Sequence, residues 1–379
     1  MPLRDVLSNT WDHIQARLFP WLTEEVGPLT DGHKRVIATL EVARIEVLVQ
    51  TVWPGLPGRP AADRHELARA FTAKAVLDLP TTAALIERLQ VDKTLRRLCG
   101  WERAAQMPSE AKFSRVFAEF ASYGLPARVH EALIKKTHAD RLVGHIARDA
   151  TSIEAREKPD KREKPQAQTP RRKRGRPRRG EVVPAKEPRR LERQMGQTLD
   201  QMLADLPTLC DVGTKRNAKG HTTSWIGYKL HIDTADGDIP VACLLTSASV
   251  HDSQVAIPLA RMTSSRLTNL YDLMDSAYDA PEIQETSRAL GHVPIIEANP
   301  RRGGKAAAEA EARAKRIAGY EPAEDVRYNQ RSSAERVNAN LKDNHGGNHV
   351  RVRGAPKVFC HLMFGIVAVT VEQLMRLIT

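Results

Sequence analysis

The sequence contains few cysteines, and those few lie far apart. Cys99, Cys210, Cys243 and Cys360 form no C-x2-C pair, which argues against a zinc site. No disulfide framework is visible either, as expected for a protein of a reducing cytosol. The cysteines therefore indicate neither a zinc domain nor a disulfide-bonded scaffold.

Long apolar segments are also scarce. Residues 1–5 lack an apolar signal region, so we expect no secretory leader. The most apolar stretch, residues 361–379, is interrupted by Glu372 and Arg376. We interpret it as a buried helix rather than a membrane span, and we expect no membrane partner.

Acidic residues are outnumbered by basic ones, and the excess is local. The 379 residues, enough for two or three domains, carry a net charge of +12. Residues 156–193 contain 16 Lys or Arg against 6 Asp or Glu, a net of +10, which leaves only +2 for the remainder. This pattern favours a polyanionic partner, and nucleic acid before a membrane surface.

At the centre of the basic segment, Arg174-Gly175-Arg176-Pro177 resembles an AT-hook. Gly175 would let the backbone approach the groove floor, and Pro177 would keep the path extended. Arg174 and Arg176 would enter the narrow minor groove of A·T tracts. A polybasic linker that grips phosphates without sequence preference explains the run equally well. Both interpretations predict contact with nucleic acid.

Residues 1–140 show helical periodicity throughout and predict an all-α domain. Short helices with caps at Thr82, Asp92 and Ser109 follow one another closely. Such a run is typical of a helix-turn-helix unit that reads DNA. The alternative is a helical bundle that only packs.

Residues 142–154 alternate in polarity and predict a strand that carries Asp149. Aspartate is disfavoured inside a strand, so its position needs a reason, and a metal is one. Residues 155–222 form a basic, partly disordered insertion that is poor in apolar residues, and its first half cannot fold alone. A helix is expected over about residues 192–205.

A β-rich block begins at Trp225 and predicts a mixed sheet with flanking helices. Residues 270–274 form a short apolar run that ends at Asp275, the end of a strand where open α/β sheets bind ligands. The other expected elements are a hairpin of residues 228–233 and 239–245, helices at 253–262 and 281–290, a strand at 292–297, and then an Ala/Glu/Arg-rich helix.

Tyr328, Arg331, Glu335 and Lys342 share one side of a predicted helix. At about 100° per residue they fall within about 60° of one another. The simple interpretation is a solvated face with an Arg331–Glu335 pair. The two strand aspartates upstream favour a functional one.

The spacing Tyr-x2-Arg-x3-Glu-x6-Lys resembles the signature of the DDE-type transposases of bacterial insertion sequences. Asp275-Ser-Ala-Tyr-Asp279 is close to that family's Asp-x-Gly-Tyr motif, with Ala277 in place of glycine. The resemblance extends from about Leu98 to the end of the chain. It implies an α/β, RNase H-like catalytic domain at 141–379, interrupted at 155–222, after a helical DNA-binding domain at 1–140.

In that fold the first and fourth strands are adjacent, so the resemblance implies that Asp149 and Asp275 face one another. Glu335 would complete a site for two Mg²⁺ ions, or Mn²⁺ in their place. Asp272 and Asp279 are alternatives to Asp275. Three further residues are better explained without a metal, namely Asp252 as a helix cap, and His345 and His349 as a helix stop with DNA-facing polar groups.

The resemblance also implies DNA contacts by Tyr328, Arg331 and Lys342. The implied activity is binding of terminal inverted repeats, cleavage, and joining of 3′-hydroxyl ends to target DNA. The expected setting is a dimer in the synaptic complex, in the bacterial cytoplasm at the nucleoid. An inactive DNA-binding derivative and a metal-dependent nuclease that does not join strands are the alternatives.

Overall fold

The structure, a computed structural model, describes residues 3–49, 64–139, 141–160, 187–216, 220–298 and 322–378, together with residues 310, 313, 314, 317 and 319. Its first part is helical, as predicted. The α-helices are α1 (Leu3–His13), α2 (Phe19–Val26), α3 (Asp31–Ala43), α4 (Arg64–Val76), α5 (Thr82–Val91), α6 (Lys93–Cys99), α7 (Glu110–Ser122) and α8 (Leu125–His138), with a π-helical turn at Ile14–Leu18 and 3-10 turns at Ile45–Leu48 and Ala104–Gln106.

Helix caps explain the boundaries of the short helices in this region. Asp92 caps α6, as predicted, because its carboxylate accepts the backbone N–H of Leu95 at 2.9 Å. The predicted cap Thr82 is wrong by one residue, since the Thr81 hydroxyl accepts the N–H of Ala84 at 3.0 Å. Ser109 precedes α7 as predicted but makes no side-chain cap bond.

A mixed sheet follows, and its order is that of the predicted RNase H-like fold. The strands are β1 (Leu142–Glu154), β2 (Asp211–Arg216), β3 (Thr222–Ala235), β4 (Ile239–Ser247), β5 (Thr268–Met274) and β6 (Val293–Ile296). They are arranged β2-β3-β1-β5-β6, and β4 also pairs with β3. β1, β3 and β4 pair antiparallel, whereas β5 is parallel to β1 and β6. The predicted strands and hairpin are thus confirmed.

The described part of the insertion is folded. The single helix predicted for residues 192–205 is wrong, because two helices occur, α9 (Arg190–Gln194) and α10 (Leu199–Asp205). The break has a local cause: Thr198 caps α10, its hydroxyl accepting the N–H of Gln201 at 3.4 Å. Strand β2 was not predicted. The predicted Ala/Glu/Arg-rich helix falls mostly on residues outside the described ones.

Two helices alternate with the last strands of the sheet, and two more precede the last helix of the chain. These elements are α11 (Ser253–Ser264), α12 (Pro281–Ala289), α13 (Ala323–Tyr328), α14 (Ser332–Asn344) and α15 (Ala355–Arg376). Helix α15 is the buried helix predicted near the end of the chain. Among the described residues, α15 alone is long and apolar enough to span a membrane. However, 78% of its most apolar 18-residue segment is buried inside the protein.

Helix α15 joins the helical region to the sheet. Its residues Phe364 and Val367 belong to the apolar core of the helical region, where the Phe71 and Phe364 rings lie 5.9 Å apart. Its residues Leu362 and Ile366 pack in the core beneath the sheet. The two regions are therefore built around one shared helix, although α8 ends at His138 and β1 begins at Leu142.

Candidate active site

Asp149 and Asp275 lie at the same level of two neighbouring parallel strands. Ala147 of β1 pairs with Leu273 of β5, and each aspartate lies two residues further along its own strand direction. Asp275 directly follows β5, and Asp149 lies in β1 just beyond the last residue that pairs with β5. Both aspartates therefore lie at the edge where the parallel pairing ends, the kind of position where open α/β sheets hold ligands. Asp275 begins a 3-10 turn (Ser276–Tyr278), and its Oδ1 accepts the N–H of Ala277 at 2.9 Å.

Both aspartates are incompletely compensated. Burial raises the pKa of Asp149, and the like charge of Asp275 adds to the rise, against the lowering effects of the Ala150 N–H, Lys215 and Arg331. Burial likewise raises the pKa of Asp275, although the Ala277 N–H and Arg331 oppose it. Two neighbouring carboxylates with raised pKa values, at a sheet edge of the kind that binds ligands, mark a candidate functional site.

Glu335 lies on α14, which packs against β1. Its carboxylate accepts a hydrogen bond from Arg331 Nη2 at 2.8 Å, and 57% of its side chain is exposed. Burial lowers the pKa of Arg331, but Tyr328, Glu335 and Asp149 together raise it above its ordinary value. The Arg331 guanidinium therefore provides a positive charge among the acids.

The structure brings the predicted trio only partly together. Across the described part of the chain, no three His, Cys, Asp or Glu side chains lie close enough to hold a metal ion. Asp149 and Asp275 are neighbours, whereas the Glu335 carboxylate is engaged by Arg331. Convergence of all three acids on shared ions stays a prediction.

The predicted helical stripe is interrupted. A 3-10 turn, Asn329–Arg331, separates Tyr328, the last residue of α13, from α14. The four residues therefore do not lie on one continuous α-helix, although Arg331 still lies 5.8 Å from the centre of the Tyr328 ring. Lys342 reaches β1, where its Nζ lies 3.4 Å from the Ser152 hydroxyl.

Tyr328 contacts Glu297, the residue that follows β6. Its hydroxyl donates to Glu297 Oε2 at 3.2 Å. Burial and the charge of Glu297 raise the pKa of Tyr328 to about 12, so the hydroxyl keeps its proton at neutral pH. It is therefore a hydrogen-bond donor at the edge of the site.

The alternatives to Asp275 have structural partners. Asp272 is buried, and it accepts hydrogen bonds from Ser287 at 2.6 Å and from Asn269 at 3.1 Å. Asp279 is exposed and accepts from Gln284 at 3.3 Å. Neither carboxylate competes with Asp275 for the position beside Asp149.

Two other sequence interpretations need correction. Asp252 stands at the N-cap position of α11 but makes no side-chain cap bond; it instead pairs with Lys229 Nζ at 2.9 Å. His345 does not face DNA, because it is buried between the carbonyl of Ala75, 3.1 Å away, and Glu372, 3.2 Å away. Arg174, Gly175, Arg176 and Pro177 lie outside the described residues.

Lys215 is a functional candidate that the sequence did not indicate. It is exposed on β2, the strand that pairs with the first half of β3 and extends the sheet as a two-stranded ribbon. Its charge lowers the pKa of both Asp149 and Asp275. Trp225 packs over Gly213 of the same strand and holds the ribbon together.

Comparison with known families agrees with this geometry. The sheet order and the two neighbouring aspartates define a domain of the RNase H-like class. A family model described as the transposase DDE domain matches residues 144–371, more than half of the chain, and one described as a transposase domain (DUF772) matches residues 28–119. The chain belongs to the transposase DDE domain family. No curated protein and no solved structure matches it significantly.

Proposed function

We propose that this chain is the transposase of a bacterial insertion sequence, which cuts DNA at the ends of its element and joins the freed 3′-hydroxyls to a target. The observation that carries the proposal is the pair of partly buried aspartates, Asp149 in β1 and Asp275 directly after the neighbouring strand β5. Glu335 lies on α14, the helix that packs against β1, and we propose that it completes the set. The family supports the coarser statement that the chain is a DDE transposase domain.

Divalent ions suit this donor set, and the DDE family typically uses them. Carboxylate oxygens are the ligands that Mg²⁺ prefers, and both aspartates have raised pKa values because their charge is desolvated. We propose that Asp149, Asp275 and Glu335 hold two Mg²⁺ ions, or Mn²⁺ in their place. When bound, such ions polarise the scissile phosphate and activate the attacking water or 3′-hydroxyl.

For Glu335 to serve as a ligand, its ion pair with Arg331 has to open. The pair is partly solvated, so its opening costs on the order of 1 kcal/mol or less. The freed guanidinium would suit a bidentate contact with a DNA phosphate. Arg331 would therefore balance the acids before DNA binds and hold the DNA backbone afterwards.

The remaining DNA contacts follow from position and charge. Lys342 and Tyr328 flank the acids on α14 and α13, and the helical domain would bind the terminal inverted repeats. The Arg174–Pro177 segment would add minor-groove or phosphate contacts. Because two element ends have to be brought together, the active form would be a dimer, working at the nucleoid in the bacterial cytoplasm.

The test is a cleavage assay on a DNA fragment that carries the flanking ends of this gene, with and without Mg²⁺. Asp149→Ala, Asp275→Ala and Glu335→Ala should each abolish strand cleavage, by at least about a thousandfold, while end binding in a gel-shift assay stays near wild type. Asp279→Asn is the matched control, since this exposed aspartate lies four residues beyond Asp275.

Each other outcome has a definite meaning. An alanine variant that still cuts normally would remove that residue from the ligand set. End binding without cleavage by the wild type in Mg²⁺ or Mn²⁺ would indicate an inactive DNA-binding derivative. Cleavage without transfer of the 3′ end to a supercoiled target would indicate a nuclease.

A further inference from the structure

A buried asparagine on α14 contacts the first aspartate directly. Asn338 Nδ2 donates to Asp149 Oδ2 at 3.1 Å, and Asn338 is 6% exposed. It follows Glu335 by three residues, so both side chains are on one side of α14. We infer that Asn338 is a positioning residue that fixes the Asp149 carboxylate for metal binding; this inference rests on the proposed function.

The chemistry of the contact suits that role. The amide must present its nitrogen to Asp149, because an ionised carboxylate only accepts hydrogen bonds. The Asp149 Oδ2 atom is thereby held in place by a neutral donor. A lysine or arginine here would neutralise the aspartate and repel a divalent ion. A neutral amide orients the ligand without adding a competing charge, which is the usual property of groups that support metal ligands.

The other end of the same amide is unusual. Asn338 Oδ1 is buried and accepts no hydrogen bond from the residues that the structure describes. Leaving a buried acceptor unpaired is unfavourable, because the group loses its hydrogen bonds to water, so proteins rarely keep one without a use. Replacement by an apolar residue would remove that cost, yet asparagine stands there. An acceptor beside Asp149 fits a water or another donor of the assembled complex.

The helix itself provides a matched comparison. Asn340 lies two residues further along α14, and its Nδ2 donates to Glu372 Oε2 at 3.2 Å. Glu372 also has His345 and Arg376 as partners, so that carboxylate is fully engaged in holding the fold together. Both asparagines donate a hydrogen bond to a carboxylate. Asn340 donates to Glu372, which has other charged partners, whereas Asn338 donates to Asp149, whose pKa stays raised.

The experiment compares three variants of the full chain, Asn338→Leu, Asn338→Gln and Asn340→Leu. The first readout is the rise in melting temperature on titration with Mn²⁺ in the absence of DNA, and the second is end cleavage. Asn338→Leu is nearly isosteric and leucine is the better helix former, so the helix itself is not weakened. We expect Asn338→Leu to raise the half-saturating Mn²⁺ concentration about 10–100-fold, and to slow cleavage at fixed Mn²⁺.

Asn338→Gln keeps an amide donor and should recover part of the affinity, whereas Asn340→Leu should bind Mn²⁺ like the wild type. Equal Mn²⁺ affinity of Asn338→Leu and the wild type, or an equal loss in Asn340→Leu, would overturn the inference alone. A wild type that neither responds to Mn²⁺ nor cleaves would overturn the proposed function as well, so the two failures are distinguishable.

Discussion

Two adjacent residues of β1, Arg148 and Asp149, point to opposite faces of the sheet, and the two faces treat charge differently. On the α11 side, Arg148 is 2% exposed and forms a bidentate pair with Asp233, with both N–O distances at 2.7 Å. Thr263 of α11 donates a third hydrogen bond to Asp233 at 2.6 Å. The buried carboxylate on this face is fully paired.

Asp272 of β5 shows the same behaviour on the paired side. Burial would raise its pKa, but hydrogen bonds from His292 and Ser287 and the charge of Arg148 lower it below its ordinary value. On the α14 side, by contrast, Asp149 and Asp275 keep raised pKa values. Complete burial also raises the pKa of Asp233, against the lowering effects of Arg148 and Thr263. The two faces therefore differ in their partners: Asp233 is paired with a guanidinium, whereas Asp149 accepts from the neutral Asn338 amide and Asp275 from the Ala277 N–H.

Breaking the paired side should have the largest effect on stability. Asp233→Ala would leave the Arg148 charge buried without a partner, which typically costs about 3–5 kcal/mol, a large part of the stability of a domain. Urea unfolding monitored by circular dichroism measures the loss. We expect the variant to be severely destabilised or insoluble.

A double variant provides the control for this prediction. Arg148→Met combined with Asp233→Leu replaces the buried pair by apolar side chains of similar volume, which is often neutral. It should therefore recover most of the stability lost in Asp233→Ala. If Asp233→Ala unfolded at the same urea concentration as the wild type, the pair would not hold the sheet.

Neutralising Asp149, on the α14 side, should increase the stability of the fold, whereas Asp233→Ala decreases it. Because the pKa of Asp149 is raised in the fold, the unfolded chain loses this proton at lower pH, and stability falls as pH rises through the window above the ordinary value of 3.8. Asp149→Asn lacks this penalty and should be more stable than the wild type near pH 7 by about 0.5–2 kcal/mol, although inactive.

Melting curves between about pH 4 and about pH 7, without divalent ions, test this sign. The gap between variant and wild type should widen as pH rises and narrow when Mg²⁺ is added. Asp279→Asn, at an exposed position, should show no such gap. A less stable Asp149→Asn would place Asp149 with the paired carboxylates.

The sequence predicted much of this comparison but not all of it. Alternating polarity predicted β1 with both of its ends, Leu142 and Glu154, although its middle is buried on consecutive residues. The prediction that Asp149 and Asp275 are neighbours in space followed from the strand order that the resemblance implied. Periodicity alone could not provide it, since nothing in a single strand records its neighbour.

Contacts distant in sequence were missed. Asn338 is bonded to a residue 189 positions away, yet a signal for it existed. Ala334, Val337 and Leu341 form the buried stripe of α14 with Asn338 among them, so a polar residue at an apolar position of the helix marked it. Strand β2 left no comparable signal, because a ribbon with exposed faces has no apolar period.

Lys215, the exposed lysine on β2 whose charge lowers the pKa of both aspartates, can be replaced without disturbing the packing of either face of the sheet. Lys215→Ala should weaken DNA binding and reduce the slope of log K against log salt by about 0.9, the value for one lost phosphate contact. Fluorescence anisotropy with an end-containing duplex at several salt concentrations measures this. Lys135→Ala, which removes an exposed lysine paired with Glu131, should leave the slope unchanged. An unchanged slope in Lys215→Ala would exclude a phosphate contact.

Glu372, a carboxylate at the junction of the helical region and the sheet, should give the smallest effect on stability when it is replaced. A hydrogen bond from His345 is the main reason that the pKa of Glu372 is lowered to about 2, and Asn340 and Arg376 lower it further. A lowered pKa stabilises the fold above the ordinary value of 4.5, and this contribution is lost as pH falls towards about 2. Glu372 therefore behaves like the paired side of the sheet.

Glu372→Gln should accordingly be less stable than the wild type at neutral pH, and the difference should shrink between about pH 4.5 and about pH 2. The effect should be about 1 kcal/mol or less, because 30% of the side chain is exposed to solvent. Urea midpoints at several pH values measure it, and Glu285→Gln, at an exposed position of α12, is the control. A difference that is constant with pH would mean that Glu372 acts through packing rather than charge, and only two carboxylates would then remain on the paired side of the comparison, Asp233 and Asp272.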